Sequence, residues 1–333
     1  MPFRLVRQTT IFFQAPERAI RRNVDKPRSA KNALPVSDHI SRPGGAAINI
    51  NDESGTFSPA SKIDSLSDQQ KEEVEAKSRP SAALIHETIR AEGLSELERS
   101  AVALLLSGLA AGLSMGFSLV VQGELHANLP AGPPQVLLSP LGYTIGFLIV
   151  VLGRQQLFTE NTLTPILPLL HNRDLSTLGR VARLWALVLA ANIAGTWLFA
   201  AAIDHVPVFE PEMLSAFADV SRSSLHMDFA GTFGRAIFAG WLIALMVWLL
   251  PATEGSRPLI IIIITYVVGV SGFPHIIAGS AECAFLVQVG EASVADFISR
   301  FFIPTLLGNV AGGVALVAAL NYGQVASEIE PTK

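Results

Sequence analysis

A histidine and a carboxylate stand seven residues apart in SGFPHIIAGSAE, Ser271 to Glu282, directly behind LIIIIITYVVGV, Leu259 to Val270, a run that belongs in hydrocarbon. An unperturbed imidazole titrates at about 6.5, so His275 can take up or release a proton near neutrality. Glu282 can hold either a charge or a proton. Ionisable groups at bilayer depth are costly, and they mark ion or proton paths. A second polar stretch, RQQLFTENT from Arg154 to Thr162, interrupts apolar sequence between VLLSPLGYTIGFLIVVLG and LTPILPLL. It brings Thr159, a hydroxyl that donates or accepts, and Glu160, another carboxylate.

The elements that must carry these residues follow from composition. Half of the 333 residues are apolar, 16% are charged and the mean hydropathy is +0.43, too apolar for an ordinary soluble enzyme. The chain is expected to be an all-α polytopic membrane protein with spans at 101–123, 136–153, 180–203, 233–251, 258–270 and 301–322. A helix crosses a ~30 Å core with about 20 residues. The fifth span halts after Pro258 to Val270 and resumes in CAFLVQVG; the second runs into RQQLFTENT. Both are expected to be broken helices.

Outside the spans, residues 1–80 are rich in Ser, Pro, Gly, Asn and charge and are expected to be a disordered polar tail without a secretory signal. Residues 81–99, with Leu84, Ile85, Thr88, Ile89, Leu94 and Leu97 at near-helical spacing, suggest an amphipathic interfacial helix. A transport domain over 100–323 and a short tail over 324–333 complete the chain. Residues 1–45 hold nine Lys and Arg against three acids, and the connection after the second span carries Arg173, Arg180 and Arg183. The connection after the third carries Asp204, Glu210, Glu212, Asp219 and Asp228 against Arg222 and Arg235. The positive-inside rule then places both termini in the cytoplasm, in a multi-pass plasma-membrane protein. Cys283 is the sole cysteine, which rules out an intrachain disulfide or a thiolate metal cluster.

An internal repeat ties the two polar stretches together. NIAGTWLFAAA begins at Asn192 and NVAGGVALVAA at Asn309, an offset of 309 − 192 = 117. The same offset carries His275 back onto Phe158, inside the other break. With three spans in each half, the halves enter the membrane in opposite senses: two inverted three-helix repeats whose second and fifth helices are broken near the midplane. Asn192 and Asn309 are placed to bond the broken backbones across helices, and Gly195 and Gly312 to let helices approach closely.

On GRQQLFTENT, SGFPHIIAGSAE and the Asn-X-Ala-Gly helices, residues 80–322 resemble the formate/nitrite transporter family. The resemblance implies an aquaporin-like fold and a homopentamer with one pore per protomer. It also implies a central histidine and threonine, at His275 and Thr159 here, and apolar constrictions at Leu157, Phe158, Tyr143, Phe147 and Val268. The sequence departs from the formate-channel pattern at Pro274, which replaces an acidic residue, and in carrying Glu160 and Glu282 near the breaks. A basic residue that some members carry before the fourth span has only Arg222 and His226 as nearby candidates.

Each site residue also has a plainer role. His275 could be satisfied by carbonyls freed at a helix break; Thr159 could be an N-cap; Glu282 and Glu160 could cap the second half-helices; Arg154 could snorkel. The expected function is movement of a small monovalent weak-acid anion, formate-like or nitrite-like, with His275 assisting its protonation and Thr159 orienting the ring. Its partners would be the anion, protons and the bilayer, with no cofactor, metal or nucleic acid. A neutral-solute pore would be expected to carry Asn-Pro-Ala at both breaks, which are LFTENT and FPHIIAG here. A Ser280–His275 hydrolase lacks an orienting acid and an oxyanion donor. A non-transporting scaffold would have no use for His275 and Thr159. Transport rather than catalysis is therefore expected.

Overall fold

Helix starts in this chain are set by oxygen-bearing caps and by prolines. In the computed structural model, which describes residues 80–329 with Ser67 and Gln69, α1 (Ala82–Glu98) opens on Ser81, whose hydroxyl accepts the Leu84 N–H at 3.2 Å. Ser100 caps α2 (Ala101–Asn128) in the same way. Proline, whose missing N–H is no loss in a first turn, opens α3 (Pro133–Leu138) and α4 (Pro140–Leu152). After a loop holding one 3-10 turn, Glu160–Thr162, come α5 (Ile166–Asn172) and α6 (Leu175–His205), the latter capped by Asp174. Next are α7 (Pro211–Ser221), a 3-10 turn at Arg222–Leu225, and α8 (Phe229–Leu249) on its Asp228 cap. α9 (Arg257–Val270) and α10 (Ala278–Gln288) follow. The last stretch joins α11 (Val294–Asp296), a π-helical segment Phe297–Phe302, α12 (Ile303–Val310), a second π-helical segment Ala311–Ala318 and α13 (Ala319–Ile329). Pro304 has no N–H to return to the preceding turn, consistent with the wider turn before it. The expected disordered tail over 1–80 falls almost wholly outside the described residues.

Every regular element among the described residues is helical, and five helical stretches are long and apolar enough to cross a membrane: 101–128, 133–152, 175–205, 229–252 and 294–326. α9 is apolar but has only 14 residues, about 21 Å of rise. Arg235, counted in the sequence with the loop charges, lies inside α8.

α2 is the hub of the first part, packed on α4, α6 and α10, while α8 packs on α12 and α9, and α9 on α4. These approaches need glycine. A Cβ on Gly112 would lie 2.2 Å from the Asn192 carbonyl oxygen, and one on Gly240 would lie 2.2 Å from that of Asn309. Phe147, Leu157, Leu163, Phe217, Phe285 and Phe301 fill the space between helices and are fully buried or nearly so.

α1 differs from its sequence expectation in which face is inward. Leu84 is 57% exposed, and the buried stripe is His86, Ile89, Gly93 and Leu97. That stripe packs on α5 and α13, where the His86 ring stands 5.8 Å from Tyr322. Neither ring nitrogen of His86 has a hydrogen-bond partner among the described residues. Burial lowers its pKa first of all, with Arg90 and His171 adding to the effect and Glu87 opposing it.

Two predictions follow from this packing. Gly112→Ala should destabilise the protein by about 1–3 kcal/mol through overpacking, whereas Gly179→Ala, with open space at its Cβ, should not; thermal unfolding in detergent compares them. A His held below its unfolded pKa contributes stability above about pH 6.5, and this is lost as pH falls towards the folded value. The protection of α1 amides, taken relative to their intrinsic exchange rates, should therefore fall on acidification, and His86→Phe should remove the dependence.

Candidate functional site

The two interruptions leave backbone groups without helical partners among the packed helices, and the chain satisfies them by the same device twice. After α4, Arg154 adopts a left-handed conformation at φ 51° and the Gln155 N–H returns to the Val150 carbonyl at 3.0 Å. After α9, Gly272 sits at φ 59° and the Phe273 N–H returns to Val268 at 3.0 Å. The Asn192 amide then accepts from Phe158 N–H at 2.9 Å and donates to the Gly108 and Gln156 carbonyls at 2.8 and 2.9 Å. Asn309 accepts from Ile276 N–H at 2.9 Å and donates to Ala236 and Pro274 at 2.8 and 3.0 Å.

These matched bonds correct the repeat register. Within the interruptions the offset is 272 − 154 = 118 and 276 − 158 = 118, against 117 between the asparagines. His275 therefore corresponds to Leu157, not to Phe158. One residue is lost between the second interruption and its asparagine helix, 309 − 276 = 33 against 192 − 158 = 34, a shift that a sequence offset read from the asparagines alone misses.

The interruptions meet at one bond. Thr159 Oγ1 lies 2.7 Å from His275 Nε2, and both residues are buried. His275 Nδ1 accepts the Ala278 N–H at the start of α10 at 3.2 Å, which assigns the lone pair to Nδ1. The neutral ring then carries its hydrogen on Nε2 and donates it to Thr159. Thr159 is not the N-cap of α5: Pro165 occupies that position, and no side chain caps it.

Around this bond the structure gathers Phe147, whose ring is 4.9 Å from His275, and Tyr143, 5.3 Å from Phe147. Leu157 and Val268 are fully buried, and Phe158 meets Trp185 edge-on at 5.7 Å. Neither carboxylate hydrogen-bonds to the side chains of the His275–Thr159 pair. α10 begins at Ala278 with no acid in its first turn, so Glu282 is not the cap expected of it; its carboxylate accepts from the Ser224 hydroxyl. Glu160 sits beside Glu92, Glu96 and Arg154 on a cavity of about 560 Å³, which Gln155 and Arg257 also line.

Three side chains that the sequence pattern did not single out as site residues, Glu96, Trp185 and Arg235, make contacts here. Glu96 of α1 reaches the first interruption, accepting from Gln156 Nε2 at 3.1 Å and from Thr164 Oγ1 at 2.6 Å. Burial pushes its carboxyl up, and these two bonds pull it back. Trp185 donates to the Asn161 carbonyl at 2.8 Å. Arg235 donates to the Ser271 carbonyl and stacks over Phe273 at 5.7 Å; an arginine in the second turn of an apolar helix was the readable signal for it. Arg222, a candidate basic residue, is committed to Glu291 by bonds of 2.7 and 2.8 Å and to Asp219, while His226 contacts the Ser223 carbonyl. Arg154 pairs with Glu92 at 2.9 Å. Among the described residues no group of three His, Cys, Asp or Glu is placed to hold a metal ion.

A helical protein with several membrane-length stretches around a hydrogen-bonded polar centre is a polytopic membrane protein. The formate/nitrite transporter model matches residues 83–323, and the chain belongs to that family of membrane transporters and channels. It is 41% identical over 280 residues to the inner membrane protein YfdC of Escherichia coli (strain K12), covering 80% of this chain and 90% of that protein. The formate channel BtFdhC of Bacillus thuringiensis is 27% identical, with 70% and 91% covered. Two solved structures share the fold: a pentameric formate channel with formate bound, at TM-score 0.58, 20% identity and coverage of 68% and 98%, and an FNT family ion channel, at 0.64, 17%, and 72% and 98%.

The asparagines should be costly to lose. Asn309→Leu strands the Ala236 and Pro274 carbonyls and the Ile276 N–H, at about 1–3 kcal/mol for each buried group. Denaturation in mixed micelles should show a loss of at least about 3 kcal/mol, with Asn309→Asp, which keeps the acceptor, losing less.

Proposed function

We propose that this chain moves a small monovalent weak-acid anion, formate first and nitrite second, across the plasma membrane. The reading further holds that the two halves are inverted repeats with broken second and fifth helices and cytoplasmic termini, and that five copies assemble with one pore in each. The formate channels among its relatives support the substrate class, and the solved pentameric formate channel supports the assembly. The 41% identity to an inner membrane protein supports the compartment.

The observation that carries the reading is the 2.7 Å Thr159–His275 bond at the junction of the two interruptions. A bare anion entering an apolar constriction loses its hydration at a cost of several kcal/mol. Tyr143, Phe147 and Val268 on one side, with Leu157 and Phe158 on the other, form the constrictions, and His275 assists protonation between them. Thr159 holds the ring with Nε2–H turned to the hydroxyl, so an anion beside that hydroxyl meets two polarised donors. Asn192 and Asn309 keep the pore's backbone in shape.

Proteoliposomes loaded with a pH-sensitive dye test this. Formate addition should acidify the lumen, and His275→Asn should slow acidification at least about tenfold, a barrier change of roughly 1.4 kcal/mol or more. Unchanged acidification in that variant removes the role of His275; swelling in glycerol without response to formate removes the anion reading.

A further inference from the structure

Glu96 belongs to α1, ahead of the first membrane-length helix, yet its carboxylate reaches the loop that carries Thr159. Each oxygen takes one end of that loop: Oε1 accepts from Gln156 Nε2 at 3.1 Å and Oε2 from Thr164 Oγ1 at 2.6 Å, with Thr159 between them. Because Glu96 takes its amide nitrogen, Gln156 turns Oε1 towards Asn161, accepting from Nδ2 at 3.0 Å and closing the turn from Leu157 to Glu160. The other acceptor near the Thr164 hydroxyl, Asn161 Oδ1, is 3.4 Å away, so the short bond to Glu96 takes the proton.

Three other side chains hold this loop from outside, and each bonds its backbone at one end. Ser107 accepts the Gln156 N–H, Asn192 takes the Gln156 carbonyl and the Phe158 N–H, and Trp185 donates to the Asn161 carbonyl. Among the described residues, Glu96 is the side chain from another element that joins the two ends. The segment before Thr159 is thus anchored three times over, whereas the segment after it depends on Trp185 and on Glu96.

The second interruption carries the same tie with donor and acceptor exchanged. The 118-residue offset brings Thr164 onto Glu282, 164 + 118 = 282, and Glu282 accepts from the hydroxyl of Ser224. In each half, a hydroxyl–carboxylate bond therefore joins the chain just past the interruption to the segment that leads into that half's first long helix, α1 before α2 and the turn at Arg222–Leu225 before α8. What the halves share is the contact; the charge changes sides.

We propose that Glu96 is a positioning residue: by joining Gln156 to Thr164 it holds the Thr159 hydroxyl against His275 Nε2–H, and it acts as a hydrogen-bond acceptor rather than as a charge. Its effect on flux rests on the transport reading above; its effect on the Thr159–His275 bond does not. Without the tie, the Gln156 amide and the Thr164 hydroxyl lose their shared acceptor and the turn between them loosens. A displacement of Thr159 by about 1 Å is enough to break a bond of 2.7 Å.

Two readouts on the full-length protein in lipid test this: the NMR signal of the His275 Nε2–H proton in isotope-labelled protein, assigned by its loss in His275→Asn, and isotope exchange of formate. Glu96→Leu should move that proton upfield and speed its exchange with water at least about tenfold. The same variant should slow formate exchange about tenfold to a hundredfold. Glu96→Gln keeps both contacts, with its oxygen accepting from Gln156 and its nitrogen donating to Thr164, whose hydroxyl turns to Asn161; it should stay within about threefold of the wild type in both readouts. Thr164→Val removes one of the two bonds and should move the proton in the same direction as Glu96→Leu. An unmoved His275 proton in Glu96→Leu overturns the inference, and Thr164→Val decides in its place if the leucine variant does not assemble. A Glu96→Gln protein as impaired as Glu96→Leu also overturns it, because the charge is then what matters. If the wild type exchanges no formate, the transport reading fails, and the His275 proton still decides whether Glu96 places Thr159.

Discussion

A backbone that leaves the helical path inside a bilayer must find hydrogen bonds within the protein, because no water is there to supply them. The chain departs from helix after Leu152 and after Val270, and the amides of Asn192 and Asn309 close both gaps with three bonds each. Each amide bonds one N–H beyond the break, one carbonyl within it and one carbonyl on a neighbouring helix. The glycines at 112 and 240 follow from this: they let that neighbouring helix come close enough for its carbonyl to be reached. Thr159 and His275 hold their places at 2.7 Å because the loops that carry them are pinned a residue away.

The same network extends to the surface. Glu96 grips Gln156 and Thr164, Gln156 accepts from Asn161, and Gly93 lets α1 lie against the Thr164–Pro165 backbone. α1 is thereby joined to the loop that presents Thr159, and its other end rests on α13 through His86 and Tyr322. The cavity between α1 and the first interruption is lined by charges of both signs, with Glu92 and Arg154 already paired. Arg222 is held by Glu291 and Asp219.

Most of the architecture could be read in the sequence because hydrocarbon imposes length and polarity on each helix. The apolar spans, the two polar stretches and the Asn-X-Ala-Gly repeat all express that constraint, and His275 and Thr159 emerged at the centre together. What stayed hidden depends on distances rather than on residue pattern. The 118-residue register needed the bonds of Phe158 and Ile276. The face of α1 was misjudged because Leu84 is more apolar than His86, yet Gly93, with no side chain, sets which face can dock. Glu282 looked like a cap because the start of α10 was unknown to within a turn. Arg235 was legible but was assigned to a loop.

Each asparagine draws its partners only from residues that precede it and belong to its own half: Gly108, Gln156 and Phe158 for Asn192, and Ala236, Pro274 and Ile276 for Asn309. During synthesis, the first three spans can therefore close their own backbone gap as soon as Asn192 emerges, before any of the second half exists. The two halves meet in the Thr159–His275 bond and in the packing of α2 and α6 on α10, of α2 on α7 and of α9 on α4. Each backbone gap is thus closed from within its own half, whereas the Thr159–His275 bond needs both.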